Sequence, residues 1–304
     1  MSLDLVVLCA GCGERLRPLT EACPKPLLPV VGTTLADRAL AACERLDPVR
    51  KVANAHHLPE QILTWAEARL LDHVQVEPVL LDTGGAIGRL ESRGELVSEH
   101  VLVHNGDLVH DIDLREPWAL HIGSGADATL VVVDRPRVNT VVVRGGRFSG
   151  VLGHPRGPVR SQGGDLARTF SGIAFYRRSV LSARPEGPWS VKELWHDLLE
   201  QGRFVGIWEA PPGSRWDDLG TSQDFARVVR EVMGRNGIET WIDPGAQVDP
   251  SARILPGSAL ECGAFVGAGA VVEDSVLLPG AVVARNEAVR GVLRNAGGSL
   301  PVAN

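Results

Sequence analysis

The pattern of apolar positions changes character at about residue 237. Before that point, short β-branched runs alternate with helical patterns, which is how a parallel sheet with crossover helices reads. Asp4 to Cys9, DLVVLC, apolar from Leu5 onward, reads as a buried strand. Thr33 or Thr34 can cap a helix with Leu35, Ala39, Leu40, Cys43 and Leu46 on one face, and Pro59 can open another carrying Ile62, Leu63, Ala66 and Leu70. Further strands are predicted at 49–54, 74–79, 101–105, 128–134, 139–144 and 170–176, with later helices near 191–202 and 222–234. The expectation is a doubly wound, mostly parallel, Rossmann-like α/β domain over residues 1–237.

Beyond Gly237, Ile242, Val248, Ile254, Leu260, Val266 and Val272 recur at an unbroken six-residue interval. That period fits neither a helix of 3.6 residues per turn nor the two-residue alternation of a strand. It fits one inward aliphatic per face of a triangular coil, with Gly and Ala at the corners. After a slip at Ser275, the sequence resumes the pattern through Val276 and Val282. Residues 238–304 therefore resemble the hexapeptide repeat of a small left-handed parallel β-helix. So short a solenoid needs a neighbour to shield its ends, so it should pack on the α/β domain of its own chain or on another subunit, the latter giving a homo-oligomer through the β-helix.

Composition narrows the function classes. With 31 cationic against 37 acidic residues the formal net charge is -6, which disfavours broad nucleic-acid binding. No run of about eighteen apolar residues appears, and the first residues lack a basic n-region and cleavage site, so a cytoplasmic protein off the membrane is expected. Cys9 and Cys12 form a C-x-x-C, but Pro18 leaves little room for the helix of a redox pair, and no second ligand pair completes a zinc set. Both read as packing or loop residues.

The chemistry concentrates between Leu8 and Pro29, LCAGCGERLRPLTEACPKPLLP. A glycine-rich loop directly after the first strand lets backbone N–H groups around Ala10, Gly11 and Gly13 approach a polyphosphate. Leu16 stands where a dinucleotide fingerprint needs its third glycine, and no Gly-Lys-Ser/Thr closes a P-loop. Only residues 25, 51 and 192 are lysine, so Lys25, between two prolines, reads as a chemical choice. A lysine offers a compact point charge for developing phosphoryl charge, while Arg15 can grip phosphate bidentately.

The string A-G-x-G-x-R-L-x-P-L-T followed by P-K-P-L resembles the signature of the sugar nucleotidylyltransferase family, which includes mannose-1-phosphate guanylyltransferases. The likeness continues in order through EPVLLDTGGAI at 77–87, LVHNGD at 102–107, FSGI at 170–173 and WDDLGT at 216–221. It implies transfer of a nucleoside monophosphate from an NTP to a sugar 1-phosphate, with release of pyrophosphate. By the same resemblance Thr83, Gly84 and Gly85 contact the nucleotide, Asn139 and Gly172 the sugar, and Asp107 and Asp218 hold Mg2+, with Asp217 in reserve. Asp107 also follows an apolar run at the carboxyl end of a strand, where open α/β sheets bind ligands. Magnesium favours one or two carboxylates together with phosphate oxygens and water.

The sequence departs from the family at one place. A Glu-Lys-Pro that often holds the sugar phosphate is missing, and residues 134–170 contain no lysine. Arg135, Arg137, Arg160 and Arg168 are the candidates to replace it. The T-G-G-A-I form at 83–87 looks closer to mannose, heptose or N-acetylmuramate 1-phosphate enzymes, so GTP with mannose or heptose 1-phosphate is the first expectation and UTP with an amino-sugar 1-phosphate the second. A non-catalytic nucleotide-sugar-binding regulatory protein is the rival of another class, and retention of Arg15, Lys25, Asp107 and Asp218 argues against it.

Overall fold

The computed structural model describes residues 1–156, 164–183 and 186–302. Arg160 lies outside the described residues. The described chain divides into two compact units. One comprises Met1–Ala10, Ala39–Gly106 and His110–Trp216; the other comprises Gly11–Arg38, Asp107–Val109 and the chain from Asp217 onward.

The first unit is built on a nine-stranded sheet. In chain order its strands are β1 (Leu3–Leu8), β2 (Arg50–Ala55), β3 (His73–Val76), β4 (His100–Asn105), β5 (Ala128–Val133), β6 (Val141–Arg144), β7 (Arg147–Val151), β8 (Leu166–Arg177) and β9 (Val205–Glu209). Their order across the sheet is β3-β2-β1-β4-β8-β5-β9-β7-β6. β1 pairs in parallel with β2 and β4, β2 with β3, and β5 with β9. β8 runs antiparallel to both β4 and β5, and β7 runs antiparallel to β9 and β6. The other seven strands therefore point one way, and the sheet is mixed, with four parallel and five antiparallel pairings among the described residues.

Helices cover both faces, which is why β1 and β5 are buried along nearly all their length and apolar except at Asp4 and Thr129. Val6, Val52, Val101, Val103, Leu130 and Val132 share a core with Ile87 and Leu90 of helix Asp82–Ser92 and with Leu194, Trp195 and Leu198 of helix Val191–Glu200. On the opposite face Trp118 and His121 of helix Arg115–Ser124 pack on the ring of Phe175. In helix Pro59–Ala68 the buried residues are Ile62, Trp65 and Ala66, whereas Leu63 is half-exposed and Leu70 is 87% exposed. The predicted face is thus corrected at Leu63 and Leu70: the helix stops at Ala68, and Leu70 sits at φ 54 in the following turn.

The second unit holds the C-terminal coil. Its short strands form three parallel ladders, one per face. Trp241 pairs with Ala259, Gln247 with Phe265 and Arg253 with Val271, a rise of three hexapeptides per turn. In the next turn the partners are Ala259 with Val276, Phe265 with Val282 and Val271 with Ala288, one residue fewer. Leu260, Val266 and Val272 are fully buried inside the coil with Leu277, Val283 and the nearly buried Val289, whereas Ile242, predicted inward at the head of the register, is 45% exposed where no earlier turn covers it. The resumed register is therefore not Val276 and Val282: Val282 is 57% exposed, and Val276 points into a different core. Neighbouring strand residues face opposite sides, so a slip of one exchanges inside for outside.

That other core joins the outer face of one ladder to the rest of the unit. Ala259, Val276 and Leu293 pack with Leu16, Leu19, Leu28 and Val30, and with Phe225 and Val229 of helix Ser222–Arg235. The helix opens on a threonine cap, Thr221, whose hydroxyl accepts from the Asp224 N–H at 3.1 Å. The coil thus packs on residues of its own chain, and it shares a compact unit with the glycine-rich loop. No helix among the described residues is long and apolar enough to cross a membrane.

Candidate active site

In the second unit the structure brings together four of the charged residues singled out in the sequence. Lys25 lies in a one-turn helical segment flanked by Pro24 and Leu28, with its side chain 8% exposed. Its Nζ donates to Asp107 Oδ2 at 2.6 Å and to the backbone carbonyl of Asp218. The carboxylate of one candidate metal ligand and the backbone of the other therefore meet on a single ammonium group. An ammonium has three donors, so one remains for an anionic oxygen. Arg15 reaches Asp218 Oδ2 at 3.6 Å, and both side chains are well exposed at 67% and 48%.

Glycines shape this centre at two points. Gly13 sits at φ +60, and a Cβ there would lie 2.8 Å from Thr20 Cγ2 and 3.2 Å from the Cβ of Lys25, so the loop can close only without a side chain. The Thr20 hydroxyl ties the turn down by donating to the Gly13 carbonyl at 3.0 Å. Gly220 was missed in the sequence except as part of a turn. A Cβ on it would fall on the Arg15 guanidinium, so its bare backbone makes the room in which that group lies. Gly11 has open space around it, leaving its exposed backbone clear of side chains.

The remaining predicted site residues belong to the first unit. Ala10 follows β1 directly. Thr83, Gly84 and Gly85 fall in the first turns of helix Asp82–Ser92. Gly84 and Gly85 are buried there against 187–189: a Cβ on Gly84 would strike the Trp189 indole, and the Gly85 N–H donates to the Trp189 carbonyl at 3.1 Å. Gly172 lies in a bulge of β8 at φ +83, where a Cβ would meet Asn105 Nδ2 at 2.6 Å. Asn139 uses its side chain locally. Its Oδ1 accepts from the Arg135 N–H at 2.9 Å and the Thr169 hydroxyl at 2.8 Å, and its Nδ2 donates to Asp134 at 2.8 Å. Of the candidate sugar-phosphate cations, Arg168 pairs with Glu209 at 2.6 Å and Arg135 donates to the Trp216 carbonyl at 3.1 Å.

A buried network that the sequence did not reveal supports the segment before Thr83. The Cys9 N–H donates to Asn54 Oδ1 at 2.7 Å, and Asn54 Nδ2 donates to Glu77 Oε1 at 2.8 Å. Glu77 Oε2 in turn accepts from the Leu81 N–H at 3.0 Å, and Gln75 Nε2 reaches Oε1 at 3.3 Å. The Glu77 carboxylate is 2% exposed and satisfied by neutral donors, so it fixes the path from β3 into the next helix. The only hint in the sequence was Glu77 at the head of EPVLLDTGGAI.

Several histidines are held within the fold by one another and by backbone or hydroxyl groups. His104 is buried, with Nδ1 2.7 Å from the Asn105 carbonyl and Nε2 2.9 Å from His110 Nε2. Burial first, and the neighbouring His110 second, push it down to about 3; burial pushes His110 down to about 4. His121 is likewise pushed down to about 3 by burial, then by His100 and Arg177. None of the five cysteines is in a disulfide, and Cys9 is fully buried.

A family model described as nucleotidyl transferase matches residues 5–143. An N-acetylmuramate alpha-1-phosphate uridylyltransferase of Neisseria meningitidis is 30% identical over 229 residues, 72% of this chain and 94% of that protein. A mannose-1-phosphate guanylyltransferase of Mycobacterium tuberculosis is 30% identical over 238 residues, 74% of this chain but 63% of that protein, so the chain spans under two thirds of this relative. Among solved structures, a putative glucose-1-phosphate thymidylyltransferase from Bacillus anthracis shares the fold with a TM-score of 0.64 at 17% identity, covering 75% of this chain and 94% of the other. The chain belongs to the nucleotidyl transferase family, among its sugar-1-phosphate nucleotidylyltransferases. It is an enzyme whose substrate classes are an NTP and a sugar 1-phosphate.

Proposed function

We propose that Arg15, Lys25, Asp107 and Asp218 form the reacting centre, with GTP and mannose or heptose 1-phosphate as the substrates. The observation that carries this reading is the buried Lys25 ammonium, on which the Asp107 carboxylate and the Asp218 carbonyl converge. The donor set suits Mg2+: two partly exposed carboxylates from distant segments leave positions for phosphate oxygens and water. When bound between Asp107 and Asp218, the ion would offset the negative charge of the reactants.

The reaction needs no protein nucleophile. A phosphate oxygen of the sugar 1-phosphate attacks the α-phosphorus in line, the bond to the β-phosphate breaks, and pyrophosphate leaves. Two anions must meet, so positioning and charge neutralisation dominate. Backbone N–H groups at Ala10, Gly11 and Gly13 receive the triphosphate, and Arg15 clamps it bidentately. Lys25 directs its third N–H at the reacting phosphate, held in aim by its two protein acceptors. Thr83 serves the nucleotide side and Gly172 the sugar side, whereas Gly84 and Gly85, buried against Trp189, and Asn139, engaged by Arg135, Thr169 and Asp134, shape their own segments. We take residues 1–237 as the catalytic region and 238–304 as the coil.

A second reading, UTP with N-acetylmuramate or another amino-sugar 1-phosphate, is favoured by the Neisseria meningitidis relative, of which the chain covers 94%. Pyrophosphate release measured for GTP, UTP, dTTP, CTP and ATP against mannose, heptose, glucose and N-acetylmuramate 1-phosphates separates the two. Highest kcat/KM with GTP and mannose or heptose 1-phosphate is the expected result. A preference for UTP with an amino sugar would replace it by the second reading, and silence across the matrix from folded protein would overturn both.

A further inference from the structure

Besides the shared apolar core, the coil holds the loop that carries Arg15 and Lys25 through polar contacts on each side of Lys25 in sequence. On the N-terminal side is the hairpin turn between Val292–Asn295 and Gly298–Pro301. Asn295, 5% exposed, donates from Nδ2 to the Leu19 carbonyl at 2.8 Å and accepts with Oδ1 from the Gly297 N–H at 2.8 Å. Both ends of the amide are thus committed, one to the turn and one to the loop. The turn also sits directly on Pro18. A Cβ on Gly297 would lie 2.6 Å from the Pro18 carbonyl oxygen, and one on Gly298 would lie 2.6 Å from Pro18 Cγ. On the C-terminal side is Glu261, fully buried at the end of a coil strand, whose two carboxylate oxygens accept from the Val31 N–H at 2.8 Å and the Gly32 N–H at 2.9 Å.

Neither contact is needed to close the coil, whose own ladders and interior aliphatics are complete without them. A buried carboxylate aimed at two consecutive backbone N–H groups, and a buried amide aimed at one carbonyl, constrain the position of a backbone more tightly than apolar packing does. Between the two grips the loop has short segments of its own, the one-turn helices Leu19–Ala22 and Lys25–Leu27 and the two-residue strand Pro29–Val30.

We propose that Asn295 and Glu261 are positioning residues for the transfer reaction: the coil clamps the loop at Leu19 and at Val31–Gly32 and so sets where Lys25 points. This rests on the reading of Lys25 as a phosphate ligand.

The test uses the full chain with Asn295→Asp, which keeps the acceptor for Gly297 but loses the donor to Leu19, and Glu261→Gln, which keeps the shape but turns an amide toward a backbone N–H. Three measurements are made on each: melting, steady-state kinetics with GTP and with UTP, and hydrogen exchange. The informative amides are Leu16, Arg17, Leu27 and Leu28, which close the turns of the loop. The expected result is a kcat at least about tenfold lower at saturating substrate, since small misplacements of reacting groups carry that cost. Loop amides should exchange faster, with those of β1 unchanged. Faster loop exchange with unchanged turnover would overturn the positioning role, and Lys25→Ala measured alongside shows separately whether Lys25 takes part in the chemistry. Wild-type loop exchange, whatever the turnover, would overturn the clamp. Where either variant fails to fold, Gly297→Ala gives the same comparison, because it removes no hydrogen-bonding group and adds one methyl against the Pro18 carbonyl.

Discussion

Replacing Lys25 by alanine strikes two contacts at once. The side chain is 8% exposed, its ammonium holds Asp107 Oδ2 at 2.6 Å and also engages the Asp218 carbonyl, and the third donor is free for the substrate. Loss of one preorganised electrostatic contact costs roughly 10²–10³ in turnover, about 3–4 kcal/mol of transition-state stabilisation. Asp107→Ala should fall in the same range, because it removes a proposed Mg2+ ligand and frees the ammonium group to move. The two losses overlap, so the double variant should lie within about tenfold of the worse single variant, not at their product. Stability should fall by only about 1–3 kcal/mol in either case, the value of a charged hydrogen bond, with Asp107 already 30% exposed. Lys25→Arg should not restore turnover, since a planar guanidinium does not fit the geometry of a compact ammonium between two acceptors. The assay is single-turnover pyrophosphate release at saturating Mg2+, with melting curves as the control for folding. Turnover of Lys25→Ala within about threefold of wild type, or strictly multiplicative losses in the double variant, would refute the reasoning.

Gly220→Ala should imitate Arg15→Ala, because the added methyl falls on the Arg15 guanidinium. Each should raise the KM for the triphosphate by about tenfold or more through loss of a charge-assisted contact. Neither should shift melting appreciably, as so exposed an ion pair contributes only about 0–1 kcal/mol; a normal KM in Gly220→Ala would show that the guanidinium moves aside freely. Gly84→Ala drives a methyl into the Trp189 indole and should cost about 1–3 kcal/mol in thermal or denaturant unfolding. Unchanged stability there would mean that Trp189 gives way without cost. His104, His110 and His121 have folded values pushed down to about 3, 4 and 3, below the ordinary 6.5, so protons bind the unfolded chain first. Their contribution is fully present above pH 6.5 and is lost as pH falls toward 4 and then 3, at about 1.4 kcal/mol per pH unit for each histidine charged only when unfolded. Denaturant midpoints from pH 7.5 to 4.5 should show this slope, and His121→Gln should flatten it; an unaltered slope would place the titration elsewhere.

Local pattern determined a great deal of this protein. The run DLVVLC, apolar from Leu5 onward, makes β1, because a strand covered on both faces cannot alternate. Thr34 does cap its helix, accepting from the Asp37 N–H at 3.1 Å, as a hydroxyl before an apolar face should. The six-residue spacing of Leu260, Val266 and Val272 put all three inside the coil, since one inward residue per face is the only way to satisfy that period. The signature around Arg15 and Lys25 placed the chain in its family.

Tertiary structure decided what spacing leaves free. The register after Ser275 depends on which ladder partner each strand finds, and a single-residue slip moved the interior from Val282 to Val283. The strand Leu166–Arg177 was legible as a strand but not as the antiparallel one, because direction is set by pairing and not by composition. Gly84 and Gly85 read as a nucleotide contact in the sequence, yet their burial against Trp189 and Gly187 comes from a segment about a hundred residues away. The pairing of Lys25 with Asp107 and Asp218 could be expected from resemblance but not from pattern, for it joins segments far apart along the chain. The grip of Glu261 on Val31 and Gly32 had no sequence signal at all: a glutamate at a coil position looks solvated until the backbone it serves is folded against it.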